Sequence, residues 1–267
     1  MSFVPPTGVF LLMLLAALLL PLGQTGAQEP TPKERTNPTA EEMAKAPRQF
    51  GKYENPTGLQ IGRVDPESGA ELPEAVRELA EAGAVASSQG DWKAAHEAYT
   101  QMVQKVPRNA LAYANLGIVE YRMERFVLAK ENLLSSLALN PTIAQNWMTL
   151  GLCYFQMGDL NLAIASLARA KHADPNDPNG YVYMAIVAEA NGWGNAAEVE
   201  LKRALELEPN FTDAHFNLAL HYLGQSPPLI ELARRHYYRA VDLGALEDGT
   251  IEAQLEADPE PIPRADP

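Results

Sequence analysis

The 267-residue chain contains one cysteine, Cys153, so it has no means of forming an intrachain disulfide. The expected role for that residue is a small buried hydrophobe in a helix. Histidine is scarce too, and none of the five is spaced as a zinc ligand pair. "HEAYT" (His96 to Thr100) opens like H-E-x-x-H but ends in Thr. His215 and His221 lie six residues apart, roughly 120° around a helix, and cannot chelate one ion cleanly. There is no G-x-S-x-G, no phosphate-cradling Gly-Lys-Ser/Thr loop and no G-x-G-x-x-G. "NGWGN" (Asn191 to Asn195) is a turn between helices and not a phosphate cradle. The sequence therefore points away from an enzyme, and no catalytic residue, cofactor or metal ligand is assigned. Cations are outnumbered, 21 Lys and Arg against 34 Asp and Glu, for a net charge of -13. That argues against nucleic acid as a partner, because such binding needs cationic neutralisation of phosphates. No apolar run reaches the roughly 20 residues of a comfortable bilayer span, and no stable membrane span is expected.

What is present begins with "VFLLMLLAALLL" (Val9 to Leu20), followed by polar and small residues. "TGA" (Thr25 to Ala27) suits a signal-peptide cleavage site before Gln28. The preceding "MSFVPPTG" has no Lys or Arg, unlike the usual basic start of such a signal. Residues 1–27 are expected to be a signal peptide directing the protein to the periplasm or outside the cell, the alternative being an uncleaved N-terminal anchor. Residues 28–73 are Pro-rich and polar, without periodic apolar positions, and read as a flexible leader. The last stretch, Leu246 to Pro267, carries seven acids against Arg264 alone. Residues 258–267 of it read as a disordered acidic tail.

Between leader and tail the prolines keep time. Pro107, Pro141, Pro175 and Pro209 are each 34 residues apart. A fixed period of that length signals a repeat architecture. Framed on the prolines, residues 74–257 divide into units 76–109, 110–143, 144–177, 178–211 and 212–247, followed by a cap. Each unit splits into two amphipathic helices with i, i+3, i+4, i+7 apolar spacing. In the third unit, "NWMTLGLCYFQMGDLNLAIASLARAKHADP", Gly158-Asp159 supplies the turn. Pro175 ends the unit, and Asp177-Pro178 restarts a helix as N-cap and first residue.

Certain residues recur in register. A large position holds Leu79, Tyr113, Trp147, Tyr181 and His215. A position of little bulk holds Gly83, Gly117, Gly151, Ala185 and Ala219. The second helix has small residues at Ala95, Ala129, Ala163, Ala197 and, shifted by two, Ala233. A later position has Met102, Ser136, Ala170, Ala204 and, shifted likewise, Ala240. Two helices can approach closely only where bulk is removed, and the large residue fills the space beside them. One hairpin leaves an apolar face bare, so neighbours must stack. This pattern resembles the tetratricopeptide repeat, W-x2-L-G-x2-Y followed by Ala, Ala and Pro, over some two thirds of the chain. The resemblance implies an all-α, right-handed superhelical solenoid of about five helix hairpins plus a C-terminal capping helix. The longer turn "GQSPPLIELA" and the loss of the terminal proline mark the fifth unit as atypical.

In that family the first helices line a concave surface. Carried over residue by residue, the frame assigns a peptide-binding groove to Asn115, Ile118, Tyr121, Arg122, Met148, Leu152, Phe155, Val182, Tyr183, Ile186, Phe216, Asn217 and Leu220. The family's clamp for a C-terminal carboxylate uses Lys, Arg and Asn. The corresponding positions here are Ala80, Ala84, Asn115, Gln145 and Thr149, so its cations are missing. The stripe Ile118, Leu152, Ile186, Leu220 is aliphatic and would suit an amphipathic helix or extended apolar peptide. The expectation is a non-enzymatic scaffold that binds a protein or peptide ligand in this groove, with bacterial envelope assembly implied by the resemblance. The alternative is a self-associating module, a homo-oligomer included, whose groove is covered by its own leader, its cap or a second copy.

Overall fold

The structure, a computed structural model, describes residues 73–256. The expected signal segment, nearly all of the leader and the acidic tail lie outside the described residues. Among those described there are eleven helices: α1 (Glu74–Ser88), α2 (Trp92–Lys105), α3 (Ala110–Arg122), α4 (Phe126–Leu139), α5 (Ala144–Gln156), α6 (Leu160–Ala173), α7 (Pro178–Ala190), α8 (Gly194–Leu207), α9 (Thr212–Leu223), α10 (Ile230–Asp242) and α11 (Gly249–Glu256). They pack as five sequential hairpins, α1/α2 through α9/α10, in an all-α solenoid. The second helix of each hairpin lies against the first helix of the next. The first helices α3, α5, α7 and α9 also touch one another in succession.

Close approach within each hairpin follows from the residues of little bulk. A Cβ added to Gly83 would fall 2.6 Å from the Tyr99 ring, and one on Gly117 or Gly151 would fall 2.8 Å from Cγ of Leu133 or Leu167. Only the absence of a side chain lets those helices meet. Opposite, Ala95, Ala129, Ala163, Ala197 and Ala233 are buried. Burial of Ala233 and Ala240 confirms the shift of two in the fifth unit.

Turns repeat as faithfully as the helices. Gly90, Gly158 and Gly192 have φ of 74°, 83° and 77°. The second unit has Glu124 at the same place, with φ 59°. A left-handed residue is needed there to reverse the chain, and glycine adopts it without a Cβ clash. Asp91, Asn109, Asp159 and Asp177 cap the helices that follow them, each side chain accepting a backbone N–H of the first turn. Pro178 follows Asp177 at the start of α7.

Ser136, which departs from the Ala of this repeat position, is fully buried. It donates to the Ala110 carbonyl at 2.6 Å and accepts from Asn146 Nδ2 at 2.7 Å. Its hydroxyl thus ties α4 to the starts of α3 and α5. Beyond the fifth hairpin, α11 docks on α10 through Ile251 and Leu255, both buried.

Candidate functional site: the inner layer and its C-terminal cavity

The first helices carry a periodic polar contact beside their apolar packing. Trp147 Nε1 donates to the Pro141 carbonyl at 2.7 Å, and the Tyr181 hydroxyl donates to that of Pro175 at 2.9 Å. His215 Nε2 meets that of Pro209 at 3.1 Å. In each case the acceptor lies six residues upstream. In the last three repeats the large position supplies a donor as well as bulk, which explains how His215 can stand where Trp and Tyr stand. A carbonyl only accepts, so His215 carries its proton on Nε2. Its Nδ1 then accepts from His236 Nδ1–H of α10 at 2.9 Å. Burial, with the His215 ring beside it, pushes the pKa of His236 down to about 4. Cys153 is buried and its thiol is pushed up to about 12, mainly by that burial. His96 of "HEAYT" lies 3.5 Å from Glu120 of α3. Glu120 is itself buried and accepts from Asn132 at 2.7 Å, and desolvation raises its pKa. Among the described residues no group of three or more His, Cys, Asp or Glu is placed to hold a metal ion.

The assigned groove residues are buried to different degrees. Asn115, Ile118, Met148, Leu152, Val182, Tyr183 and Phe216 are buried. First helices that touch one another use their inner positions for contact between repeats. Tyr121 and Arg122 are half-buried. Tyr121 packs beside the Phe126 ring, and the Arg122 guanidinium lies over Trp92 at 5.7 Å. Ile186 and Leu220, the C-terminal half of the aliphatic stripe, are half-buried.

At that end lies a cavity of about 710 Å³. It brings together Phe155 of α5, Ile186 and Glu189 of α7, Leu201 of α8, and Phe216, Asn217, Leu220 and His221 of α9. Thr250, Ile251 and Gln254 of α11 form a further wall. Five of the thirteen assigned groove residues, Phe155, Ile186, Phe216, Asn217 and Leu220, thus converge on one space; the other eight do not line it. The volume is in the range of sites that hold a discrete ligand. Its polar end is built around His221. Nδ1 of that buried ring donates to Glu189 Oε2 at 3.0 Å, and Gln225 Nε2 donates to its Nε2 at 3.1 Å. Nearby, the Tyr222 hydroxyl donates to Glu198 Oε1 at 2.8 Å. Hydrogen bonds from Lys202 and Tyr222 hold the Glu198 carboxyl below its usual range. His221 was not legible as part of a site, whereas the alternative reading already laid the cap against the groove, without naming which of its residues would face it. The signal for that cap is the amphipathic stretch Asp242 to Leu255, of which Ile251 and Leu255 are the buried side.

Residues 80–129 and 115–178 match the family model described as the tetratricopeptide repeat. Over that stretch the chain carries tetratricopeptide repeats. Among solved structures it resembles TTC0263, a thermophilic tetratricopeptide-repeat protein of Thermus thermophilus, with a TM-score of 0.57 and 21% identity over 67% of this chain and 96% of that one. A structure of MamA protein aligns with a TM-score of 0.54 and 21% identity, over 71% and 100% of the two chains. At these identities the likeness is one of fold. Among curated proteins the chain is 30% identical over 152 residues to the human Protein O-mannosyl-transferase TMTC3, covering 54% of this chain and 17% of the relative. It is 28% identical over 149 residues to the general transcriptional corepressor ssn6 of Schizosaccharomyces pombe, covering 52% and 14%. The chain thus spans less than a fifth of the curated relatives it matches. Among the described residues no helix is long and apolar enough to cross a membrane.

Proposed function

We propose that this protein is a non-enzymatic adaptor, exported to the bacterial envelope, that holds a segment of another polypeptide on the inner layer of its repeats. The observation that carries the reading is the cavity of about 710 Å³ walled by Phe155, Ile186, Phe216 and Leu220 on successive first helices. An apolar anchor fully buried there would contribute about 1.5–3 kcal/mol before ordering costs. Export rests on the Val9–Leu20 apolar run and the small residues before Gln28.

Site-specific photocrosslinking in the native host tests this. A photoreactive residue at Leu220 is expected to capture a polypeptide that mass spectrometry identifies reproducibly. The same group at Val199, an exposed residue of α8, is expected not to. Ile186→Asp should abolish the Leu220 product while leaving helicity intact. Equal capture from both positions, or capture indifferent to Ile186, rejects the groove. Cell fractionation with N-terminal sequencing tests export, with a mature protein beginning at Gln28 as the expected result.

A further inference from the structure

The cavity has an apolar floor and formal negative charge on its wall. Ile186, Phe216, Leu220 and Ile251 form the floor; Glu189 and Asp248 are the carboxylates, and among the described residues no Lys or Arg lines the space. Asp248 is occupied locally, its Oδ1 accepting the backbone N–H of Thr250 and Ile251 at the start of α11. Glu189 is placed differently. It sits in the last turn of α7 with its side chain 47% exposed, while the imidazole that holds it is only 4% exposed. Because a carboxylate only accepts, His221 carries its proton on Nδ1, and Gln225 occupies the other ring nitrogen. The ring is thereby fixed in orientation, and it aims Glu189. A fixed, half-exposed carboxylate beside an apolar floor is complementary to a cation carried one turn from an apolar anchor.

We infer that the cavity receives a basic amphipathic segment of the partner polypeptide, an aliphatic or aromatic side chain seated on Ile186, Phe216 and Leu220 and a Lys or Arg paired with Glu189. This rests on the adaptor reading and specifies its ligand. An acidic segment would bring a second carboxylate to Glu189 with no Lys or Arg in the wall to offset it. The chain's own last eleven residues, with Asp258, Glu260 and Asp266 against Arg264, have the wrong sign. A second copy of a chain with net charge -13 is electrostatically disfavoured as the occupant as well.

The test uses the full chain and three labelled synthetic peptides: a helical Leu/Lys amphipath, the same peptide with Glu for Lys, and the same with Ser for Leu. The Leu/Lys peptide is expected to bind at least about tenfold more tightly than either of the others. Glu189→Gln should weaken it about two- to fivefold, as for a partly exposed ion pair. Glu131→Gln, which removes an exposed charge on α4 outside the cavity, should leave it unchanged. Equal losses from the two substitutions would reduce the effect to net charge and overturn the inference. Leu/Glu binding as tight as Leu/Lys, yet lost on Leu220→Gln, would keep the groove and overturn its preference for a basic ligand. Leu/Lys binding indifferent to Leu220→Gln would remove both. Tighter binding by a peptide of residues 43–53, which carries Lys45, Arg48 and Lys52 with Phe50 and Tyr53, would assign the site to the chain itself. A dimer by light scattering that the Leu/Lys peptide dissociates would assign it to a second copy. Either result overturns the external partner.

Discussion

Gly151 has no room for even a methyl group: its Cβ would lie 2.8 Å from Leu167 Cγ and 3.2 Å from the Ala163 carbonyl oxygen. Leu167 Cγ is a branch point, and the carbonyl belongs to a helix backbone, so neither moves cheaply. Gly151→Ala would gain up to about 1 kcal/mol of helix propensity and lose about 1–3 kcal/mol to overpacking. A net fall in stability is expected, read as a lower denaturant midpoint with unchanged slope. Glu124 shows the opposite situation. It occupies the left-handed turn position that Gly90, Gly158 and Gly192 fill in other repeats, at a cost of about 1 kcal/mol for a residue with a Cβ. Glu124→Gly should therefore raise Tm by a few degrees, although a glycine substitution elsewhere generally lowers it. An unchanged or lower Tm would mean that the Glu124 side chain contributes more than its backbone costs.

Individual helices owe their ends to local chemistry and their mutual placement to a few polar contacts. The α9/α10 hairpin illustrates both, since His215 and His236 join across it while the Tyr222 ring lies 5.7 Å from that of His236. Arg239 and Arg235 of α10 and Lys202 of α8 add positive potential there, against Glu198 of α8, which is bound to Tyr222 and Lys202. The folded pKa of His236 is about 4, below the ordinary histidine value of 6.5. The unfolded chain therefore binds more protons between those values, and stability rises with pH across that window. The contribution is complete above about pH 6.5 and is lost as pH falls towards 4. Thermal melts of the parent and His236→Gln are expected to converge above pH 7. The parent should show the steeper loss of Tm between pH 6.5 and 4. Parallel profiles would show that the carboxylates alone set the acid response.

At the scale of the whole molecule the repeats form a one-dimensional stack, in which each hairpin is stabilised by its neighbours. The terminal helix therefore matters locally. Burial of Ile251 and Leu255 is worth about 1.5–3 kcal/mol for each side chain. The paired change Ile251→Asp and Leu255→Asp should release α11, open one wall of the cavity and loosen α9 and α10. Hydrogen exchange is expected to speed up in 212–256 and to stay near parental rates in α1 to α4. Uniformly faster exchange would show that the stack melts as a single unit.

The pattern of amino acids determined the hairpins, because the close helix approach at Gly83, Gly117 and Gly151 and the turn at Gly158 are short-range steric requirements written every 34 residues. The aliphatic stripe was legible as well, since its positions follow from the helix period. Which part of that stripe remains open was decided only in the tertiary structure. Contacts among α3, α5, α7 and α9 bury its first half, whereas α11 arrives beside the second half and closes a cavity around it. The charge of that cavity also depends on Glu189 and His221, which are 32 residues apart in the chain. Periodicity records what each helix turns towards its neighbour. It does not record how much of that face the neighbour covers, because coverage depends on the packing of several helices at once.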